Sequence, residues 1–369
     1  MFVIQPPLIM RYFSSSHSRN GDEVFRRFYL SWEDALWHLS SIYDIKPGAT
    51  IMVPEFFCGN VIEHMQEHGL KVIMYPVDQF LTTSYPILTI TLQKIKPDIL
   101  IIFHPVGITN KLMEHQNKLI TLIPKNSLFI EDCVHKVVDH QSVKLLHNRH
   151  FLIDSLRKVV PIHGSFLYSK VRIPKIGLVQ SISTSPYRLG MMFWWFAMQV
   201  NLLLAYISKN PHRRTEYNLI AERKMLRGYE LIGKSHLGSP GPIITNKLAE
   251  HLVTKNIMVC KVQQFNLYKP IVQLLTRTRL FWLPTMKKSD RKNLRGFPLI
   301  IHLSVADTFL QYLRNKGVII RFELNDSLWS RRQKIVYLPM GIHLNNEDIA
   351  YIVSVLSHFL SNIQDKRIN

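Results

Sequence analysis

Short apolar runs recur through the first half of the chain, and each is followed by a segment long enough for a helix. The runs cover residues 72–74, 99–103, 128–130 and 151–153. Strands that are buried on both faces read as continuous apolar runs rather than as an alternation. The pattern therefore predicts an α/β fold with a mainly parallel sheet covered by helices, and residues 164–168 predict one further strand.

Helical periodicity appears before and after these runs. Residues 28–43 are apolar at helical spacing, and Ser31 is a candidate N-cap with Asp34 three residues later. After a Gly-Ser-Pro-Gly-Pro breaker, residues 243–272 predict a long helix. The last part of the chain predicts a strand, a helix, a strand and a closing amphipathic helix at 297–301, 308–316, 318–322 and 347–360.

The length of 369 residues suits one large domain with a smaller one beside it. We expect a loose N-terminal lead-in over residues 1–24 and a large domain over 25–240. Residues 241–369 would form a linker helix and a small C-terminal domain. Residues 1–20 start with an apolar stretch that has no leading basic region and no clear small-residue cleavage site, so they do not predict a signal peptide.

One segment, residues 189–207, is almost wholly apolar and is interrupted by Gln199 and Asn201. Its length would suffice to span a bilayer, but the two amides and its position inside a globular pattern argue against a span. We expect a helical insert at residues 186–210 that packs on the protein or on a dimer partner. Peripheral contact with a membrane surface is the competing interpretation and is not favoured.

Composition narrows the class of protein. Apolar residues make up 47% of the chain and charged residues 20%, which is typical of a globular protein. The net charge of +20 is spread along the chain without an aromatic-interleaved basic motif, so we expect no specific nucleic-acid partner. The cysteines lie far apart at 58, 133 and 260, which indicates a reducing compartment, and we expect the cytoplasm.

Two polar clusters each follow a predicted buried strand, at the sheet edge where ligands bind in open α/β folds. The first offers the carboxylate of Asp132 and the imidazole of His135; the second offers the hydroxyl of Ser155 and the amine of Lys158. This set suits a pyridine cofactor that carries an aldehyde and a phosphate. The amine would form a Schiff base, the carboxylate would face the ring nitrogen, and the hydroxyl would bind the phosphate.

The run Glu131-Asp132-Cys133-Val134-His135, followed by Ser155-Leu156-Arg157-Lys158 and Gly164, resembles the core of the DegT/DnrJ/StrS-type sugar aminotransferases. These belong to the fold-type I pyridoxal-phosphate (PLP) enzymes. Further similar segments give the resemblance its order and spacing, at 46–54, 68–78, 103–107, 338–340 and 344–348. The resemblance covers residues 25–170 and 235–362, and the chain after the lysine strand, to residue 238, is longer than the family requires.

The resemblance implies a PLP-transferase-like large domain with a mainly parallel sheet, and a small α+β C-terminal domain. It implies PLP as the cofactor and a homodimer as the assembly. The implied reaction transfers an amino group from an amino acid to a keto-sugar, typically a nucleotide-linked one, or to a similar carbonyl compound.

The resemblance also assigns roles to residues. Lys158 would be the catalytic lysine, which forms the Schiff base and later moves a proton between substrate and cofactor. Asp132 would keep the ring nitrogen protonated, and His135 would bind the phenolate oxygen of the cofactor. Three further residues complete the cofactor site, Ser155 and Ser31 at the phosphate and His104 in the pocket wall.

Two positions depart from the family pattern. The helix after Ser31 carries Trp32 and Glu33 where the family has Gly and Thr, and a bulky ring and a carboxylate there should hinder a phosphate. Cys58, beside Phe57, stands where the family often stacks an aromatic ring on the pyridine. The alternative is therefore a catalytically degenerate PLP-transferase-fold protein that acts as a binding or scaffold protein.

His64-Met65-Gln66-Glu67-His68 matches the H-x-x-E-H zinc pattern. Two histidines four residues apart share a helix face and could grip zinc. However, Gly69 follows at once, so the pair would lie at a helix end, and no third ligand is evident. We expect an ordinary last helical turn there and no metal site.

Overall fold

The computed structural model describes residues 2–3, 7–13, 24–234 and 237–368. Within these residues the strands are β1 (Phe2–Val3), β2 (Phe25–Tyr29), β3 (Thr50–Pro54), β4 (Lys71–Tyr75), β5 (Ile99–Phe103), β6 (Leu128–Cys133), β7 (His150–Asp154), β8 (Ser165–Ser169), β9 (Phe281–Trp282), β10 (Phe297–Ile301), β11 (Val318–Ile319) and β12 (Lys334–Leu338). The α-helices are α1 (Trp32–Ile42), α2 (Gly59–Glu67), α3 (Tyr85–Ile95), α4 (Gln116–Leu122), α5 (Leu178–Ser183), α6 (Ser185–Ile207), α7 (Pro211–Tyr229), α8 (Ile243–Glu250), α9 (Thr254–Arg277), α10 (Leu303–Asn315) and α11 (Asn346–Ile368).

The central sheet has seven strands in the order β2-β8-β7-β6-β5-β3-β4. Strands β3 to β7 run parallel, whereas β8 pairs antiparallel with both β7 and β2. The predicted α/β fold with a mainly parallel sheet is therefore confirmed. In register, Phe103 lies opposite Asp132 and Cys133 lies opposite Asp154, so the carboxyl ends of β5, β6 and β7 meet at one edge.

Both faces of this sheet are buried, which explains the uninterrupted apolar runs. In β5, Ile101 and Phe103 point into the main core, while Leu100 and Ile102 point into a second core on the opposite face. Side chains alternate across a strand, so a strand that is covered on both sides needs apolar residues at every position.

A smaller antiparallel sheet follows in the order β12-β10-β9, with α9 packed against β9 and against α11. Its buried side chains continue the main core of the central sheet. The strand predicted at 297–301 is confirmed, and this sheet with its helices is the small α+β part of the fold.

Four predicted helices have different bounds, and two of them, at 308–316 and 347–360, are simply longer as α10 and α11. The helix predicted over 28–43 begins at Trp32, because residues 25–29 pair with β8 as an edge strand. The N-cap is confirmed, since the hydroxyl of Ser31 accepts a hydrogen bond from the Asp34 N–H. The helix predicted over 243–272 is broken into α8 and α9, where the Val253 N–H instead donates to the carbonyl of Tyr12.

Most of the predicted lead-in, including residues 14–23, lies outside the described residues. Residues 10–12 form a 3-10 turn, and the ring of Tyr12 is buried beside Ile257 and Ala249. The Tyr12 hydroxyl also lies 3.3 Å from Nδ1 of His343.

The apolar segment forms α6, which packs against α7 through Trp195, Met198, Leu202 and Met225. Among the described residues α6 is the one helix that is long and apolar enough to cross a bilayer, and a third of its most apolar window is buried. We call α6 and α7 together the helical insert.

Candidate active site

A cavity lies where β5, β6 and β7 end, with a volume of about 790 Å³ when the solvent-open space at its mouth is included. Its lining combines aromatic and aliphatic side chains with ionisable groups: Trp32, Glu33, Phe57, Cys58, Asn60, Val61, His64, Phe103, Asp132, Val134, His135, Ser155, Arg157, Lys158, Tyr229, Ile232 and Leu324. Four of the six predicted site residues, Asp132, His135, Ser155 and Lys158, therefore share one cavity.

The alternation along β6 sends its two carboxylates to opposite faces. Glu131 points away from the cavity, where His104 Nε2 lies 3.0 Å and His150 Nε2 lies 2.8 Å from its two oxygens. Both rings accept a backbone N–H at Nδ1, from Asn110 and Leu146, so Nε2 carries the proton and donates. Burial opposes ionisation of Glu131, but these hydrogen bonds lower its pKa to about 2.

Asp132 points into the cavity and is 2% exposed. Its Oδ1 accepts a hydrogen bond from the Val134 N–H at 3.0 Å. Burial, reinforced by the nearby Glu33, raises the pKa of Asp132 to about 8 even though Val134 and Lys158 act against this. The carboxyl group is thus poised to ionise when a cationic partner enters the cavity.

Ser155 and Lys158 belong to the turn that follows β7. Residues 156–158 form a single 3-10 turn with Ser155 at its N-cap, and the Lys158 N–H donates to the Ser155 carbonyl at 3.1 Å. Burial lowers the pKa of Lys158, although Glu323, 3.4 Å from Nζ, partly offsets the effect. The lysine is therefore more easily deprotonated than an exposed one.

Each ring nitrogen of His135 lies close to a polar group. Its Nδ1 lies 3.2 Å from the Tyr337 hydroxyl and its Nε2 lies 3.2 Å from Oε1 of Glu323. Burial lowers the pKa of His135 to about 4, against the opposing effect of Glu323. The imidazole is neutral at neutral pH and can serve as a hydrogen-bond partner rather than as a charge.

Glu323 was not predicted from the sequence, yet it connects the site residues. It lies next to Lys158 and His135, and its Oε2 is 2.5 Å from Nη1 of the buried Arg295. Burial works against its charge, but Arg295, Lys158 and His135 hold the pKa of Glu323 well below its ordinary value. The available signal was its place directly after the predicted strand at 318–322, which resembles the place of Asp132 shortly after the predicted strand at 128–130.

Tyr229 was also not predicted, and it comes from the end of the helical insert. The guanidinium of Arg157 lies 4.1 Å from its ring centroid and that of Arg321 lies 5.9 Å away. Burial favours the neutral phenol, but the positive charges of Arg157, Lys158, Arg321 and Arg295 lower the pKa of Tyr229 to about 7. The cavity therefore has a strongly cationic wall.

Ser31 and His104 do not line the cavity, contrary to the roles expected for them. The Ser31 hydroxyl donates to Oδ2 of Asp34 at 2.5 Å, which uses it as a helix cap. The ring of His104 is fully buried between Glu131 and Asn110 on the other face of the sheet.

The two departures from the family pattern both lie in the cavity wall. Trp32 and Glu33 line it, and the Glu33 carboxylate lies 3.7 Å from Nδ1 of His64. Phe57 also lines it, next to Cys58. An aromatic ring is therefore present, one position before the expected one.

The histidines of the H-x-x-E-H pattern have different partners. His64 faces Glu33, and the nearby Glu33 carboxylate raises the pKa of His64. The ring of His68 stacks on Trp37 at a centroid distance of 3.7 Å. The two rings are thus used separately.

No protein-family profile and no curated protein matches the sequence. The fold, however, is similar to that of several solved structures. The aminotransferase TlmJ from Streptoalloteichus hindustanus is 11% identical with a TM-score of 0.57, and the match covers 99% of this chain and 100% of that one. The sugar aminotransferase CalS13 from Micromonospora echinospora is 14% identical with a TM-score of 0.55, over 96% and 99%. NtdA from Bacillus subtilis, solved with the cofactor PMP bound, is 11% identical with a TM-score of 0.53, and the match covers 91% of this chain and 73% of that one.

These similarities establish the class of fold. The chain shares the architecture of these solved structures, with a mainly parallel sheet covered by helices and a smaller C-terminal sheet. At such low identity the likeness concerns the fold alone, so the chemistry has to be argued from the cavity.

Proposed function

We propose that this protein is a PLP-dependent aminotransferase of the DegT type. The observation that carries the proposal is the meeting of Asp132, His135, Ser155 and Lys158 in one cavity at the carboxyl edge of the sheet. The fold is that of solved aminotransferases, and the lysine and the carboxyl group come from separate strands, as the predicted chemistry requires.

The ring end of PLP fits the residues that are present. A pyridine nitrogen that shares a proton with Asp132 would provide the cationic partner that this buried carboxyl group lacks. Phe57, Phe103 and Val134 supply apolar walls for a flat ring. His135 is neutral, and its Nε2, which has no hydrogen-bond partner among the described residues, would donate to the phenolate oxygen.

The phosphate end differs from the family. The start of α1 offers Trp32 and Glu33, and the Ser31 hydroxyl is used by Asp34. The opposite wall has better donors, because the Ser155 side chain does not cap its own turn and Nη1 of Arg157 is buried without a hydrogen-bond partner among the described residues. We infer that these two residues would hold the phosphate in place of the helix signature.

When bound, PLP supplies an electron-withdrawing ring that stabilises negative charge on a substrate carbon. The chain supplies the rest. Lys158, whose pKa is lowered by burial, has a larger neutral fraction and can attack a carbonyl or accept a proton at Nζ. Glu323 orients this amine, and the aromatic walls keep water from it.

The proposed substrates are an amino acid as nitrogen donor and a keto-sugar, nucleotide-linked or similar, as acceptor. Two solved proteins of this fold are named as aminotransferases, and one of them as a sugar aminotransferase, which supports this choice. The cationic wall of Arg157 and Arg321 suits an acceptor that carries phosphate. We also propose a homodimer, and a solution mass of 43.2 kDa rather than twice that value would contradict it.

The first experiment is the visible absorption spectrum of the purified full-length protein with added PLP, followed by borohydride reduction and peptide mass mapping. We expect a band that Lys158→Ala abolishes and an adduct on Lys158. Lys136→Ala is the matched control, because Nζ of Lys136 bonds the Thr109 hydroxyl away from the cavity. An amino acid that donates nitrogen should remove the band.

The outcomes separate the alternatives. A band that no amino acid alters would keep the cofactor but contradict aminotransfer. Absence of both band and adduct in folded protein would overturn the proposal and leave the degenerate binding or scaffold protein as the interpretation.

A further inference from the structure

The exposed face of α6 is apolar along its whole length. Phe193 is 63% and Phe196 64% exposed, although aromatic rings are usually buried. The remaining exposed positions of this face recur at helical spacing and are also aliphatic: Leu189, Val200, Leu204 and Ile207. We call this row the α6 stripe, and at about 1.5 Å per residue it is roughly 27 Å long.

The preceding helix extends the α6 stripe. Leu178, Val179 and Ile182 of α5 are 76%, 82% and 62% exposed. Isolated exposed aliphatic residues are normal, but a contiguous row of nine on two consecutive helices marks an interaction surface.

The charges around this surface have a single sign. Residues 155–215 contain nine Lys and Arg residues and not one Asp or Glu. Lys175 and Arg172 are exposed just before α5, and Lys209 and Arg213 are exposed just after α6. The α6 stripe therefore lies between basic groups, and the first acidic residue after it is the exposed Glu216 in α7.

The apolar stripe and the basic residues beside it together indicate the kind of partner that binds there. A second copy of the chain would set like charges against each other, since both copies would bring the same basic residues to a shared interface. A bilayer with anionic headgroups offers apolar depth for the stripe and negative charge for its basic flanks.

The contacts on the buried side of α6 indicate whether this helix lies on the bilayer or crosses it. Trp195 and Met198 pack against α7, and the Gln199 side chain accepts a hydrogen bond from the Leu8 N–H at 2.8 Å. A spanning helix would have to give up these contacts and place the amide in hydrocarbon. The geometry points to a peripheral mode in which α5 and α6 rest in the interface.

We propose that the exposed face of α5 and α6 docks the protein onto anionic membrane surfaces. This proposal is independent of the proposed aminotransferase activity. It reverses the preference stated from the sequence alone, where packing on the protein or a dimer partner was favoured for residues 189–207.

The test is co-sedimentation of the full-length protein with phosphatidylcholine vesicles, with and without phosphatidylserine in about a third of the lipid. We expect about tenfold or more stronger binding to the anionic vesicles, weakened by salt. Phe193→Glu/Phe196→Glu should lower this binding at least about tenfold. Ile87→Glu/Ile90→Glu is the matched control, because these α3 residues are 49% and 56% exposed outside the stripe.

If Phe193→Glu/Phe196→Glu does not fold, a second variant tests the same proposal. Lys209→Gln/Arg213→Gln changes exposed side chains only and should weaken anionic binding about fivefold per charge removed. Equal binding to both vesicle types would overturn the proposal. The proposal would also be overturned if the folded Phe193→Glu/Phe196→Glu variant bound vesicles as strongly as the wild type, because binding would then depend on diffuse charge. A wild-type dimer that only this variant converts to monomer would overturn it as well, because the stripe would then be a dimer interface.

Discussion

At the residue scale, Glu323 is the group on which the site geometry depends. Three potential cations, Arg295, Lys158 and His135, lie within 3.4 Å of its carboxylate, and every one of them is buried or nearly so. A buried charge that loses its partner is costly, so the carboxylate stabilises the fold and the site together.

Glu323→Gln should therefore lower the free energy of unfolding by about 3–5 kcal/mol, since Arg295 would keep an uncompensated buried charge. Urea unfolding measures this. Glu55→Gln is the control, because its partner Arg332 is 58% exposed and an exposed pair is worth about 1 kcal/mol or less. Equal losses in the two variants would contradict the importance given to Glu323.

Tyr229 should give the protein an ionisation near neutral pH. Its pKa is lowered from the ordinary 10.0 to about 7, so the phenolate absorbance in the near ultraviolet should rise with a midpoint near pH 7. Because the pKa is depressed by folding, the associated stability is complete above pH 10 and is lost as the pH falls through about 7.

Tyr229→Phe should remove this transition, and Tyr75→Phe should leave it intact, because burial raises the pKa of Tyr75. A wild-type protein without any tyrosine ionisation below pH 9 would contradict the cationic wall around the ring.

The structure brings the predicted residues into one cavity where a side chain follows a strand in the same segment. Asp132, Ser155 and Lys158 could be recognised because strand, polar group and spacing stand together in the sequence. Glu323 and Tyr229 could not, since their role depends on distant segments folding back onto the cavity. The ring of His104 lies on the opposite face, because side chains alternate along the strand and the preceding Phe103 lines the cavity.

At the element scale, the turn from Lys158 back into β8 depends on Gly164. Its φ of +134° is rarely adopted by other residues, and a Cβ there would lie 2.1 Å from Cζ of Phe28. A ring from the edge strand β2 thus occupies the space that a side chain would need.

Gly164→Ala should cost about 2 kcal/mol or more, through backbone strain and overpacking. Gly177→Ala is the matched control, since nothing lies within 4 Å of its added Cβ, and about 0.5 kcal/mol or less is expected. Thermal unfolding of both variants measures the difference. A Gly164→Ala protein as stable as the control would show that β2 shifts freely.

Element existence was easier to predict than element bounds. The buried parallel strands could be recognised as apolar runs, and the run predicted at 99–103 has the same bounds as β5. The 28–43 prediction failed at its start because an edge strand and an amphipathic helix can share the same few apolar residues. The break between α8 and α9 had no local signal, as it is made by a backbone contact with Tyr12.

At the scale of the whole molecule, fold and sequence have diverged to different degrees. Solved aminotransferases match nearly the full chain at 11–14% identity. Hydrophobic patterning can preserve a layered α/β architecture through such change, because many apolar side chains fill the same core. Of the two residues that depart from the family pattern, Glu33 lines the cavity, and Trp32 lines it while also packing in the main core.

The helical insert joins two places that are otherwise separate. The exposed row of α6 lies at the surface, while α7, packed along it, ends at Tyr229 in the cavity wall. The two places are thus linked through one packed pair of helices. If a ligand in the cavity and a surface on α6 favour the same position of α7 against α6, each would strengthen the binding of the other by the same factor.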